Sequence, residues 1–166
     1  MSQKIIIVDE QDNEIGVKER EEAKEGSLYR VSALWITNPK GEVLLGKRSL
    51  KQKNGPGKWG AGVAGTVEEG ESYESNMIKE AQEEIGLTGV AFRKLFKERI
   101  TGVRNYFCQW FACEIDWPVE RFKLDAEEVA EVRWFTKKEI LDGLKNRRDD
   151  FVRTAETWHK FLEEEA

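Results

Sequence analysis

Between residues 4 and 47 the apolar positions fall into short runs and period-two alternations, the spacing of strands that bury one face. Lys4 to Val8 is an aliphatic run that predicts a strand, and Asp9-Glu-Gln-Asp-Asn13 supplies turn chemistry after it. Gly16 and Val17 lead into the charged segment Lys18 to Glu25, which predicts one or two helical turns. Ser27 to Thr37 alternates as a strand, Asn38-Pro-Lys-Gly41 turns the chain, and Glu42 to Lys47 returns it. This is a hairpin inside a sheet, with Leu34, Ile36, Val43 and Leu45 as core candidates.

Two more strands are expected over Val90 to Ile100 and Tyr106 to Ile115, joined through Thr101-Gly-Val-Arg-Asn105, and a further one follows the acidic stretch from Asp125 and ends at Trp134-Phe135. Thr136 with Glu139 three residues on is a capping box, which opens a helix to Leu144. Over about 150–165, Phe151, Ala155, Trp158 and Leu162 form one stripe. They predict an amphipathic helix that either closes the sheet or meets the second subunit of a homodimer. Strands in the middle, one helix after a glycine loop and helices at the end give an α+β class, a three-layer sandwich on a mixed sheet, with residues 1–166 as a single domain.

Composition narrows the partners. A chain of 166 residues can bury roughly two-thirds of its unfolded surface. With 27 basic against 32 acidic residues, a net charge of −5, bulk electrostatics do not hold it to nucleic acid. No apolar run approaches the ~20 residues that span a bilayer, and the opening Met1-Ser-Gln-Lys-Ile lacks the layout of a signal peptide, so the expected location is the cytoplasm. Cys108 and Cys113 stand five apart on one expected strand and therefore point to opposite faces, as small apolar fillers rather than a disulfide. His159 is the only histidine and is read as structural, which leaves no two-histidine metal site within the chain.

The chemistry concentrates between Gly65 and Leu87. Ser72 is a natural N-cap, Glu74 suits the first turn and Gly86 the stop, with Ile78 and Ile85 expected to face the sheet. At about 100° per residue, Glu80, Glu83 and Glu84 share a sector of roughly 100°. Such a face is either solvated, as charge runs on helices generally are, or a site for hard cations such as Mg²⁺, which take oxygen ligands and offset the repulsion. Upstream, Lys47, Arg48, Lys51, Lys53 and Lys58 lie in a loop that leads to this stretch, either as solvated lysines or as the neutralising approach for a polyphosphate. Arg48, at a strand end, is the first candidate for a phosphate contact. Trp59-Gly-Ala-Gly-Val-Ala-Gly65 reads as a small, flexible segment that lets backbone approach a ligand. In the aromatic run after residue 105, Tyr106 is the candidate for stacking on a base.

Gly65, five residues, Glu71, seven residues, then Lys79-Glu80-Ala81-x-Glu83-Glu84-x-Gly86-Leu87 resembles the signature of the Nudix hydrolases, G-x5-E-x7-R-E-U-x-E-E-x-G-U with U aliphatic. Lys79 stands where the family has arginine, so the brace that the resemblance implies between Glu71 and residue 79 loses its planar fork. The resemblance implies an α/β/α sandwich, one to three Mg²⁺ or Mn²⁺ ions on Glu80, Glu83 and Glu84 with the Gly65 carbonyl, Glu83 as general base, and an extra ligand or base at Glu127 or Glu128. It implies hydrolysis of a diphosphate linkage in a nucleoside diphosphate-X type or related small substrate. Val8-Asp-Glu, Gly16, Arg20-Glu-Glu-Ala and Gly26-Ser-Leu-Tyr29-Arg30 look like the branch that includes isopentenyl-diphosphate isomerases, but the isomerase cysteine has no counterpart in Trp59 to Thr66. A Nudix-fold binding module is the non-enzyme alternative, and retention of Glu71, Glu80, Glu83 and Glu84 speaks for catalysis.

Overall fold

The structure, a computed structural model, describes residues 3–163. In chain order the elements are β1 (Lys4–Val8), β2 (Glu14–Glu19), α1 (Arg20–Ala23), β3 (Leu28–Thr37), β4 (Val43–Arg48), β5 (Trp59–Ala61), β6 (Val63–Thr66), α2 (Tyr73–Ile85), β7 (Arg93–Ile100), β8 (Asn105–Glu114), β9 (Val129–Phe135), α3 (Lys137–Asn146) and α4 (His159–Leu162). All nine strands form one mixed sheet around β3, which pairs antiparallel with β1, β4 and β6 and parallel with β8 along its whole length.

Alternation sorts the core into two layers. Leu34, Ile36, Phe111 and Cys113 face α2, where they meet Tyr73, Met77, Ala81 and Ile85. Ala33, Trp35, Val43, Leu45, Cys108 and Trp110 face the other way, under Ile140 of α3 and the segment with Phe151, Ala155, Trp158 and Leu162. The result is the expected α/β/α sandwich, with the two cysteines buried, free and on opposite faces. Thr136 and Glu139 form the capping box of α3, each hydrogen bond 3.0 Å. Among the described residues no helix is long and apolar enough to cross a membrane.

Four expectations are corrected. The charged segment after the first turn begins as a strand, β2, laid on β1, and only residues 20–23 are helical. Trp59 to Gly65 is not loose: β5 pairs with β4 and β6 with β3. Gly62 marks the switch between partners, where a Cβ would lie 2.9 Å from Ile36 Cδ1 and 3.2 Å from the Leu44 carbonyl. The helix expected over about 150–165 is broken. Phe151 bridges to Trp59, Val152 N–H donates to the Trp59 carbonyl at 2.9 Å, and only the 3-10 turns Arg153–Trp158 and the short α4 follow. Residues 164 and 165 of that expected helix lie outside the described residues. Ile78 is 60% exposed while Ile85 is fully buried. Both sit at the edge of the buried face of α2, but only Ile85 is covered, by the segment whose Lys123 N–H donates to the Ile85 carbonyl at 3.1 Å.

One buried carboxylate joins four elements. Asp12, in the β1–β2 turn with a φ of 60°, accepts from Arg30 Nε of β3 at 2.7 Å, the Tyr73 hydroxyl of α2 at 2.7 Å and Lys97 Nζ of β7 at 2.6 Å. Burial pushes the carboxyl pKa up, and these hydrogen bonds more than reverse it, so it lies below the ordinary 3.8. Asp12→Asn keeps a side chain that tolerates positive φ and removes the charge, so it should lower the unfolding free energy by about 3 kcal/mol at neutral pH in urea melts. With a depressed folded-state pKa, this stabilisation is complete above the ordinary value of 3.8 and is lost as pH falls through the folded value. The two proteins should therefore converge in stability only in acid.

Candidate active site

Helix α2 is held at both ends and along its buried face. Ser72 Oγ accepts from Ser75 N–H at 3.0 Å while Ser75 Oγ accepts from Ser72 N–H at 2.9 Å, which satisfies orphan donors of the first turn. Gly86, with φ 70°, closes the other end, its N–H on the Gln82 carbonyl and that of Leu87 on the Ala81 carbonyl, both at 3.0 Å. Ser32 of β3 donates to the Tyr73 carbonyl at 2.8 Å and Asn76 Nδ2 to the Thr66 carbonyl at 2.9 Å. The helix is thereby drawn onto β6 so closely that a Cβ on Gly65 would lie 2.3 Å from Glu80 Cγ. No side chain fits at residue 65.

The loop before the helix is cross-braced by charge. Glu71 accepts from the Glu68 N–H at 2.7 Å, from Asn76 Nδ2 at 3.2 Å and from Lys79 Nζ at 2.8 Å. Lys79 also contacts Glu68 and lies 3.7 Å from Glu80. Where a fork would grip one carboxylate, the compact ammonium gathers three. Burial alone would lower its pKa, and the hydrogen bonds to Glu68 and Glu71 raise it instead.

The three helix glutamates that share a sector have different surroundings. Glu84 is only 9% exposed, and burial, Glu80 and Glu128 push its carboxyl well up, with the Ala64 N–H and Arg48 opposing. Glu80 is half-buried and is pushed up to about 7 by burial and by Glu83, Glu71 and Glu128, against the nearby Lys79. Glu83 is exposed and borders a separate cleft with Gly86, Arg121 and Asp125. The 125–128 turn is tied to the helix end, Asp125 N–H donating to the Glu84 carbonyl at 3.0 Å, and to the basic loop, Ser49 N–H donating to the Glu128 carbonyl at 3.0 Å. Of the two candidates there, Glu128 comes to the carboxylates, while Glu127 pairs with Lys51 at 2.7 Å in solvent.

Glu84, Glu128 and Arg48 open into one cavity of about 790 Å³ that also reaches Tyr106, Lys24 and Arg104. Arg48 is not a free loop cation. Its Nε donates to the Asn54 carbonyl at 2.6 Å and Nη2 to Gln52 at 3.2 Å, which folds the basic loop back on itself. Burial pushes its pKa down, and Glu128 and Glu84 hold it up. Tyr106 packs on Tyr29 with ring centroids 5.4 Å apart. Sequence reasoning gave no role to Lys24 and Arg104, since neither stands in a motif; Asn76, which stands where the family resemblance leads to an alanine, is fully buried.

Among the described residues no three His, Cys, Asp or Glu side chains converge tightly enough to hold a metal ion as they stand. The donors still fit a hard divalent cation: the carboxylates of Glu80, Glu84 and Glu128 are mutually repelling and all-oxygen, Glu84 is buried, Glu80 half-buried and Glu128 exposed, and Glu80 lies 3.7 Å from Lys79.

A glycine strand pressed under a glutamate helix, carried on an α/β/α sandwich, defines a loop–helix carboxylate site. The chain belongs to the Nudix hydrolase family, whose NUDIX domain model matches residues 27–155. It is 30% identical to a Nudix hydrolase of Yersinia pestis over 157 residues, 92% of this chain and 83% of that one. It is 28% identical to an isopentenyl-diphosphate Delta-isomerase of Citrobacter koseri over 149 residues, 84% and 81% of the two chains. It is 41% identical to a prenyl-diphosphate phosphatase of Methanosarcina mazei over 91 residues, 54% and 52%. A crystal structure from Deinococcus radiodurans has the same fold, with a TM-score of 0.74 at 20% identity, covering 86% of this chain and 89% of that one.

Gly65→Ala should push the Glu80 side chain of α2 away from β6 and cost about 1–3 kcal/mol in urea melts. Gly16→Ala, at an exposed position with nothing within 4 Å of the added methyl, should stay within about 0.5 kcal/mol of the parent.

Proposed function

We propose that the protein is a Mg²⁺- or Mn²⁺-dependent hydrolase that cleaves a phosphoric anhydride bond in a nucleoside diphosphate-X type or related small diphosphate. The observation that carries this reading is a single cavity with carboxylates, Glu84 and Glu128, at one part of its wall and the guanidinium of Arg48 beside them. Metal oxygen chemistry and neutralisation of a polyanion need both signs of charge together.

Glu80, Glu84 and Glu128, with the Gly65 carbonyl, would hold the cation, which when bound polarises phosphoryl oxygens and lowers the pKa of a water. Arg48 neutralises substrate charge, fixed in place by its grip on the Asn54 carbonyl. Glu71 and Lys79 keep the loop and helix in register, so the carboxylates do not swing apart. Glu83 borders the neighbouring cleft rather than this cavity, and its assignment as general base rests on its place in the Nudix signature, next to Glu84 and within electrostatic reach of Glu80. Tyr106 and the apolar wall made by Val31, Ala33 and Trp110 would receive the group attached to the diphosphate. The likeness to a prenyl-diphosphate phosphatase supports a small diphosphate. Isomerisation through a cysteine is disfavoured, because Cys113 is buried with its thiol pushed up to about 12 and Cys108 is raised by complete burial.

Phosphate or nucleoside monophosphate release over a panel of diphosphates, isopentenyl diphosphate included, tests the reading. Turnover should need added Mg²⁺ and stop with EDTA, and a panel that gives no release with Mg²⁺ overturns it. Glu83→Gln should lower kcat by about 10²-fold or more with metal binding partly kept. Glu84→Gln should instead raise the Mg²⁺ concentration needed for half-maximal rate.

A further inference from the structure

The cavity wall carries cations that the hydrolytic site does not use. Lys24 follows α1 and packs its ammonium over the Tyr29 ring at 5.5 Å; Arg104, at the β7–β8 turn, lies beside Tyr29 and reaches Asn54 Oδ1 at 3.5 Å. Both are half-buried, both line the cavity, and among the described residues neither forms an ion pair. Their charged neighbours are mostly of the same sign. Burial, joined by Arg20, Arg104 and Arg48 and opposed by Glu21, brings the Lys24 ammonium down to about 7. Two cations held half out of water without a counterion cost free energy that an anion would return. Asn54 joins this pair to the catalytic wall, since its carbonyl holds Arg48 and its side-chain oxygen receives Arg104.

We infer that Lys24 and Arg104, with the Tyr29 hydroxyl, form a subsite for a phosphate-type anionic group of the substrate, distinct from the carboxylates of Glu80, Glu84 and Glu128. The identity of the anion as part of a substrate rests on the hydrolase reading; the existence of the subsite does not. It assigns to the preferred substrates a charged group beyond the phosphates that the carboxylate site handles, and it places that group against Tyr29 and Tyr106.

Calorimetric titration of the metal-free protein with inorganic pyrophosphate in EDTA reads the subsite without turnover. The parent should bind, and Lys24→Ala and Arg104→Ala should each weaken binding by about 10-fold or more. Lys40→Ala, an exposed turn lysine, should leave it unchanged. At pH 8 the ammonium is mostly deprotonated in the free protein, so binding should take up close to one proton, seen as a heat that depends on the buffer's ionisation enthalpy. Lys24→Arg, which keeps the charge, should retain affinity and lose the proton uptake. Absence of pyrophosphate binding by the parent, equal affinity in the Lys24→Ala/Arg104→Ala double variant, or an equal loss in Lys40→Ala overturns the inference, whatever the hydrolysis assay gives.

Discussion

The site depends on how closely helix α2 can lie on strand β6. A Cβ at position 65 would lie 2.3 Å from Glu80 Cγ and 2.6 Å from its Cδ, so the Glu80 side chain can rest against β6 only because residue 65 is glycine. Contact at Gly65 places the carboxylates of Glu80 and Glu84 where burial and mutual repulsion raise them, a state that is costly unless something positive completes it. The capping at Ser72 and Gly86, the Ser32 and Asn76 hydrogen bonds and the Asp12 hub through Tyr73 all serve to hold that one approach. Packing energy is spent on bringing like charges together, which is the reverse of what stability alone would select.

Lys79 shows how a substitution in a motif changes the device without removing it. A guanidinium offers a flat pair of donors to one carboxylate, whereas an ammonium is a point charge with three donors that can aim in different directions. Here they are shared among Glu68, Glu71 and Glu80. The loop is still braced, and part of the positive charge reaches Glu80 itself, where it opposes the rise that burial and the neighbouring carboxylates impose.

Much of the sandwich was legible because its signals are local. Alternation in residues 28–37 and 105–114 sorts side chains to two faces, and the turn at 38–41 and the caps at Ser72, Gly86 and Thr136 are written in neighbouring residues. The misreadings share a cause. Trp59 to Gly65 looks flexible by composition, yet β3 and β4 supply the hydrogen bonds that make it two strands. The last segment has a helical stripe, but Arg148 donates to the carbonyls of Val152 at 3.0 Å and Arg153 at 2.6 Å, and the bridge to Trp59 makes an extended stretch compete successfully with the helix. The glutamate spacing pointed to the candidate site, while the approach of Glu128 rather than Glu127 to Glu84, and the gathering of Lys24 and Arg104 around Tyr29, depend on contacts between distant parts of the chain that no spacing encodes.

The distribution of charge explains how an acidic chain can receive a polyanion. A net charge of −5 acts at a distance, but beyond about 8 Å salt screens it at physiological ionic strength, so an anionic substrate responds chiefly to charges near the mouth of the cavity. That neighbourhood is basic, with Lys24, Arg48, Lys53, Arg99, Arg104 and Arg153 on the wall against Glu84, Glu98, Glu128 and Glu156. Of these acids Glu98 is already engaged, accepting from Trp110 at 2.9 Å and Lys160 at 2.7 Å, while among the cations Lys53 keeps a loose partner in Glu21 at 3.7 Å. Among the described residues Lys24, Arg48 and Arg104, with Lys47 and Lys58, are half-buried wall cations that form no ion pair, and at such positions a charge interacts more strongly than it does in water. The cavity therefore sets a wall rich in cations beside the carboxylates of Glu84 and Glu128, so both signs of charge face one enclosed space despite the chain's net negative charge.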